Sequence, residues 1–389
     1  MMKSRSKDGH KSEMTETYLQ CALKVMFSFT QMPAKRGIQK FGMRAIAAMM
    51  KELRQLSVGA VPGKPVVIPI DPNTLTKKDL EEALDAVNLI KEKGNGDLKG
   101  RTCANGSKQR RFVKEGDNFA SPTVSVEALF TTLIIAAHEE REIISFDVPG
   151  AFLQADMPDD KLMLLRLTGE FVDLMCEINP DFIPHVRLDR KGRKILYMRV
   201  IRAIYGCIEA ALQWYKLFKS TLEGKGFILN PYDLCVANKV IEGKQCTIAW
   251  YADDCIATHA SKDVLKFLSD DMQKHFGKMD IVTGSDHDFL GMKIKIKDKR
   301  IEIDMSKQLK EVIDVFEACG EIAPGGVTSC AAHHLFEVRK DAEQLNEEKS
   351  EVFHSLTAKL LYIMKRARPD LETAISFLSR QVSKSDMDD

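Results

Sequence analysis

Trp250-Tyr251-Ala252-Asp253-Asp254-Cys255-Ile256 sets two adjacent carboxylates inside a run that is otherwise apolar and β-prone. Neighbouring side chains on a strand point to opposite faces, whereas at a tight turn between two strands both can reach one centre. Placing such a pair among apolar residues is costly without a cation, and Mg²⁺ is the ion that takes hard oxygen ligands of this type. An ordinary surface turn is also rich in Asp. The pair alone therefore leaves both readings open.

Working outward, a second acid stands at the end of another β-prone run, in Ser145-Phe146-Asp147-Val148-Pro149-Gly150-Ala151-Phe152. Two strands that deliver carboxylates to one sheet edge could hold two metal ions ~3.5 to 4 Å apart, the arrangement used for in-line displacement at phosphorus. Helical spacing predicts helices over 41–56, 76–93, 124–138, 209–224 and 261–276, and again over 307–319, 347–366 and 370–382. Extended runs are predicted over 141–147, 194–204, 234–241 and 245–258, with Glu242, Gly243 and Lys244 as a hairpin turn, followed by a short hairpin from Phe289 to Ile303. Helices segregated from antiparallel hairpins, with no βαβ phosphate loop, indicate an α+β fold. The segments divide as a basic arm and helix at 1–60, a mixed region at 61–300 and a helical region at 301–389.

Composition bounds the rest. The 389 residues are 44% hydrophobic and 29% charged, as in an ordinary globular protein. No apolar run approaches the ~18 residues needed to span a bilayer, so no membrane role is expected. The nine cysteines include no Cys-x-x-Cys pair, and Cys319, Cys330, His333 and His334 fit no regular zinc spacing. Net charge is only +1, but Lys91 to Glu115 carries eight Lys or Arg against three Asp or Glu. A local basic stretch of this kind can follow phosphates even on a neutral chain.

The ordered motifs resemble the reverse transcriptase of copia-type long-terminal-repeat retrotransposons. Phe146-Asp147-Val148-Pro149-Gly150-Ala151-Phe152-Leu153 and Tyr251-Ala252-Asp253-Asp254 are similar to the two acid segments of that palm. Ile204-Tyr205-Gly206 through Trp214 lies between them in the right order. Gly226-Phe227, Tyr232-Asp233, Phe289-Leu290-Gly291-Met292, Leu360-Leu361-Tyr362 and Arg368-Pro369-Asp370 extend the match from about residue 99 to 380.

The resemblance implies a right-hand polymerase fold with fingers, an antiparallel-sheet palm and a helical thumb. It implies RNA-directed DNA synthesis from dNTPs on an RNA or DNA template-primer, with two Mg²⁺ ions that Mn²⁺ can replace. Asp147, Asp253 and Asp254 would hold the metals, with the Val148 carbonyl as a further ligand. Lys99, Arg101, Ala151, Phe152, Tyr205, Gly206 and Lys278 would surround the nucleotide: Arg101 on the triphosphate, Phe152 as the steric gate against a 2′-hydroxyl, Lys278 as proton donor to pyrophosphate. Phe289, Leu290, Gly291 and Met292 would form the primer grip. Association with element-encoded RNase H, integrase and capsid is implied, in cytoplasmic element particles with a nuclear stage; the chain is expected to lack the RNase H domain itself. Two departures stand out. Ile208-Glu209 replaces the family's Lys-Gln, removing a cation and adding an anion beside the template, and Pro149-Gly150 replaces Lys-Thr. A catalytically inactive remnant that only binds nucleic acid is the alternative, and an unrelated two-metal phosphotransferase is a third.

Overall fold

The computed structural model describes residues 31–386 apart from 60, 62, 94, 113–118, 159–161, 319–334 and 340. The described chain falls into two compact units. The larger holds Gln31–Leu290 with Lys297–Arg300, and the smaller holds the described parts of Gly291–Ile296 and Ile301–Asp389. The Cys319, Cys330, His333, His334 group lies outside the described residues.

The larger unit is built on two sheets. The first has six antiparallel strands in the spatial order Asp280–Thr283, Glu142–Asp147, Asp254–His259, Lys244–Tyr251, Val236–Ile241 and Ile228–Leu229. The long run read over 245–258 is thus two strands, folded at Ala252 and Asp253. Trp250, Cys255 and Phe146 form one cross-strand row, and Tyr251, Asp254 and Asp147 the next. Adjacent rows point to opposite faces. An aromatic cluster joins the Trp250 row to two helices: Trp214 and Phe218 of Ala210–Gly224 and Phe276 of Lys262–Phe276, with ring centroids 5.3 to 5.8 Å apart. Burial of these large rings, each worth a few kcal/mol, anchors both helices behind the sheet.

The second sheet is mixed. Leu84–Glu92 pairs antiparallel with Leu98–Ala104 and, at Leu84 and Asp85, parallel with Leu164–Thr168, which continues to Lys194–Val200 and Val67–Pro69. The expected helix over 76–93 is corrected here. Thr76 and Asp79 form a capping box that starts a helix as expected, but the helix stops at Glu82 and Leu84–Glu92 is a strand. The Asn95-Gly96 turn, with Gly96 at φ +81°, returns the chain onto it, and a full ladder from Ala86↔Ala104 to Glu92↔Leu98 outweighs a weak local preference. The helix predicted near 41–56 runs Met43–Val58 and packs on Leu98–Ala104. It belongs to the larger unit's core through Ala45, Met49, Leu53 and Leu56, not to a separate arm.

In the smaller unit three helices, Ser306–Ala318, Glu347–Met364 and Glu372–Gln381, were all legible in the sequence. Asn346 caps the second by accepting the Lys349 N–H at 2.9 Å. Val352, Leu356, Ile363, Ala374 and Ile375 are buried in this unit. Among the described residues no helix is long and apolar enough to cross a membrane.

Candidate active site

The acids meet through backbone pairing. Asp147 ends its strand and is the register partner of Asp254 on one side and of Asp280 on the other. Asp253 lies in the two-residue turn before Asp254, and its carbonyl accepts the Val148 N–H at 3.0 Å. That bond ties the chain just after Asp147 to the turn. Ala252 sits in the left-handed region at φ +53°, unusual for a residue with a Cβ. The buried Trp214 holds it there, its indole Nε1–H donating to the Ala252 carbonyl at 2.7 Å.

Electrostatics follow from this crowding. Burial, and then the charges of Asp253 and Asp254, push the Asp147 carboxyl up to about 6, while Lys99 pulls the other way. Asp254 is raised by burial and by Asp253. Like charges are thus held together by the sheet against their repulsion. Among the described residues no three His, Cys, Asp or Glu side chains are drawn around one point as a preformed ion site.

A second constellation belongs to the same unit. Gly150 caps the four-residue helix Ala151–Gln154 at φ +58°, with Ala151 buried and Phe152 half-buried. Gln154 fixes this helix by donating to the Pro149 and Phe276 carbonyls, each at 2.9 Å. The Phe152 ring meets Tyr205 edge to face at 5.1 Å, and the Arg101 guanidinium lies over the other ring at 4.6 Å from its centroid. Burial, then the nearby Asp253, pushes the Tyr205 phenol up to about 12, so it stays a neutral donor. Gly206 has φ +91°, and a Cβ there would stand 2.1 Å from the Ala104 carbonyl oxygen. Only a residue without a side chain admits that approach.

The remaining predicted residues separate. Lys278 follows Gly277, which ends the helix Lys262–Phe276 at φ +90°, and lies two residues before Asp280. Phe289 is buried, Leu290 and Gly291 both have positive φ (+48° and +68°), and Met292 is buried. The Gly291 carbonyl accepts from Gln308 at 2.5 Å. Lys108 of the basic stretch is engaged elsewhere, with the Asp85 carboxylate at 3.5 Å and the Ala83 carbonyl at 3.1 Å. Glu209, the anion that breaks the motif, immediately precedes the helix Ala210–Gly224, where the positive end of the helix dipole suits a carboxylate.

Three residues escaped the sequence reading. Trp214 was legible only as part of a motif; the signal for its role is the bond to a turn 38 residues away. Asp280 became visible only through strand pairing. Glu52 is buried in the helix Met43–Val58 and accepts the Thr102 N–H at 2.9 Å. Nothing at the sequence level joins two residues 50 apart.

Comparison with known proteins gives a family match over residues 86–324, described as "Reverse transcriptase (RNA-dependent DNA polymerase)". The retrovirus-related Pol polyprotein from transposon TNT 1-94 of Nicotiana tabacum is 26% identical over 304 residues, which is 75% of this chain and 21% of that one. The chain thus spans about a fifth of the polyprotein it matches. Among solved structures, a foamy viral protease-reverse transcriptase aligns with TM-score 0.34 at 12% identity, over 84% of this chain and 52% of that one. The Candida tropicalis telomerase aligns with TM-score 0.31 at 12% identity, over 77% and 59%.

Proposed function

The chain belongs to the reverse transcriptase (RNA-dependent DNA polymerase) family, and from that membership we propose that it extends a primer 3′-hydroxyl with deoxynucleotides on an RNA or DNA template. The observation that carries the proposal is the cross-strand register of Asp147 with Asp254, with Asp253 in the adjoining turn. The donor set suits Mg²⁺ or Mn²⁺: hard carboxylate oxygens, crowded enough that Asp147 resists ionising, are what a divalent cation relieves. Asp147, Asp253, Asp254 and the Val148 carbonyl would hold it. When bound, two such ions supply Lewis acidity at the attacking hydroxyl and the leaving pyrophosphate.

The protein's own groups do the rest. Arg101 and Lys99 bind the triphosphate, Arg101 through a guanidinium already seated on Tyr205. Phe152, backed by Tyr205, fills the space a ribose 2′-hydroxyl would need, selecting deoxynucleotides. Lys278 gives a proton to pyrophosphate. The Phe289–Met292 turn holds the primer end, and the helices of the smaller unit act as a thumb that reads the duplex by shape and backbone. Association with other element-encoded proteins, RNase H, integrase and capsid, belongs to the same reading.

Primer extension by the purified chain on an RNA template, with Mg²⁺ or Mn²⁺ and dNTPs, tests the reading. Incorporation of dNTPs with rejection of NTPs is expected. No incorporation with retained template binding would instead mark a remnant that only binds nucleic acid.

A further inference from the structure

Leu98–Ala104, the strand that carries Lys99 and Arg101, has a single strand partner among the described residues, so its other edge is open. Alternate residues turn their backbone N–H to that edge, and each must find a partner. Ala104 donates to the Tyr205 carbonyl at 2.7 Å. Two residues earlier, Thr102 donates to the Glu52 carboxylate at 2.9 Å. Two residues earlier again, Gly100 lies so close to the helix Met43–Val58 that a Cβ would stand 2.6 Å from the Ala48 carbonyl oxygen. The open edge is therefore closed by one helix and one loop, and Glu52 and Tyr205 are consecutive fasteners along it.

Glu52 is 7% exposed, a charge-bearing group in a core. Burial raises its pKa, and the Thr102 N–H, Arg101 and Lys99 hold it down, in that order. A buried glutamate is a costly way to satisfy one N–H. Its position explains the choice: it ties the strand that carries Lys99 and Arg101 to the helix Met43–Val58, two residues from the bond by which Ala104 holds the loop of Tyr205, on whose ring Arg101 rests.

We propose that Glu52 is a positioning residue for nucleotide binding, holding the Leu98–Ala104 strand so that Arg101 stays over Tyr205 and presents its guanidinium to a triphosphate. This rests on the polymerase reading in assigning the triphosphate to Arg101. Glu52 itself touches no substrate.

The test uses the full chain and inorganic tripolyphosphate as probe, titrated calorimetrically, beside dNTP kinetics in primer extension. The variants are Glu52→Ala, Glu52→Gln, Arg101→Ala and the double variant Glu52→Ala/Arg101→Ala. Glu52→Ala should weaken tripolyphosphate binding about tenfold and raise KM for dNTP similarly, with kcat within about twofold. Glu52→Gln, which can still accept the Thr102 N–H, should recover most of the loss. In the Arg101→Ala background, Glu52→Ala should cost clearly less than it does in the wild type, because most of its effect passes through that guanidinium. A purely structural role would instead lower kcat and thermal stability with KM unchanged, and that pattern overturns the proposal. So does wild-type affinity in Glu52→Ala, additive losses in the double variant, or tripolyphosphate binding indifferent to Arg101→Ala. Should Glu52→Ala fail to fold, Glu52→Leu, which fills the same buried space but offers the Thr102 N–H no acceptor, carries the same decision in both backgrounds. If the wild type binds tripolyphosphate but extends no primer, the polymerase reading fails while the role of Glu52 is judged on binding alone.

Discussion

The acid end of the six-stranded sheet and the basic strand Leu98–Ala104 solve opposite electrostatic problems. At the sheet end, Asp147, Asp254 and Asp280 are aligned by register with Asp253 alongside, and their charges repel. Backbone ladders and the Trp214 bond to Ala252 hold them together. At the basic strand, Lys99 and Arg101 are steadied by one buried carboxylate, Glu52, and by the Tyr205 ring. The first site is strained by its own charges, and the second is already compensated. Substitutions should therefore behave differently on the two sides: removing an acid costs activity and relieves the fold, whereas loosening the basic side costs both.

The largest expected effect is Asp253→Asn. Loss of one carboxylate from an ion-binding set should lower kcat by about 10³-fold or more. Template-primer binding should keep its affinity and salt dependence, since the substitution removes no cation that could neutralise a phosphate. Polymerisation at the wild-type rate would show that the acid end is not the site. Next is Gly206→Ala. The new Cβ would stand 2.1 Å from a backbone carbonyl at φ +91°, and no side-chain rotation relieves a backbone clash. A loss of about 2 to 4 kcal/mol is expected, with raised KM for dNTP because Tyr205 moves with its neighbour. Chemical denaturation reads the first and steady-state kinetics the second. A neutral Gly206→Ala would mean that the loop is not clamped to the basic strand.

Trp214→Phe probes what the sheet end spends to hold its turn. It keeps most of the aromatic packing but removes the Nε1–H, leaving the Ala252 carbonyl without that donor. A cost of about 1 to 3 kcal/mol is expected, with kcat falling more than KM rises, because Asp253 follows Ala252 in the turn. Equal changes in the two constants would detach the turn from the chemistry.

The two sides also differed in how far the sequence disclosed them. The acid end was readable because its determinants are local: β-prone runs ending on Asp147 and folded at Asp253, with aromatic and apolar residues at alternate positions. The three predicted helices that pack with these strands, and the three in the smaller unit, were readable from spacing for the same reason. The basic side was not, because its determinants are long-range. Leu84–Glu92 has a helical look until it pairs with Leu98–Ala104, and Glu52 reads as one more surface acid on an amphipathic helix until Thr102 is found against it. Lys108 lies in the basic stretch that could follow phosphates, yet it pairs with Asp85. Asp280 had no local signal at all, since its partner Asp147 lies in a strand more than a hundred residues earlier.

The smallest effect tests the strain directly. Asp147 has its carboxyl raised from an ordinary 3.8 to about 6, first by burial and then by Asp253 and Asp254. Between pH 4 and 6 the unfolded chain releases this proton while the folded chain keeps it, so the folded state binds more protons and its stability falls as pH rises through that window. Above pH 6 the penalty is complete. Asp147→Asn removes it, so the variant should be inactive yet more stable than wild type at pH 8, with the difference vanishing below pH 4. The residue is exposed by area although its carboxyl is backed by protein on one side, so solvent screening reduces the gain to on the order of 1 kcal/mol. Mg²⁺ should reproduce part of the gain in the wild type and less of it in Asp147→Asn, because cation and substitution relieve the same repulsion. Urea unfolding at pH 4 and pH 8, with and without Mg²⁺, measures the four values for each protein; a variant less stable than wild type at pH 8 would mean that Asp147 contributes more to packing than its charge costs.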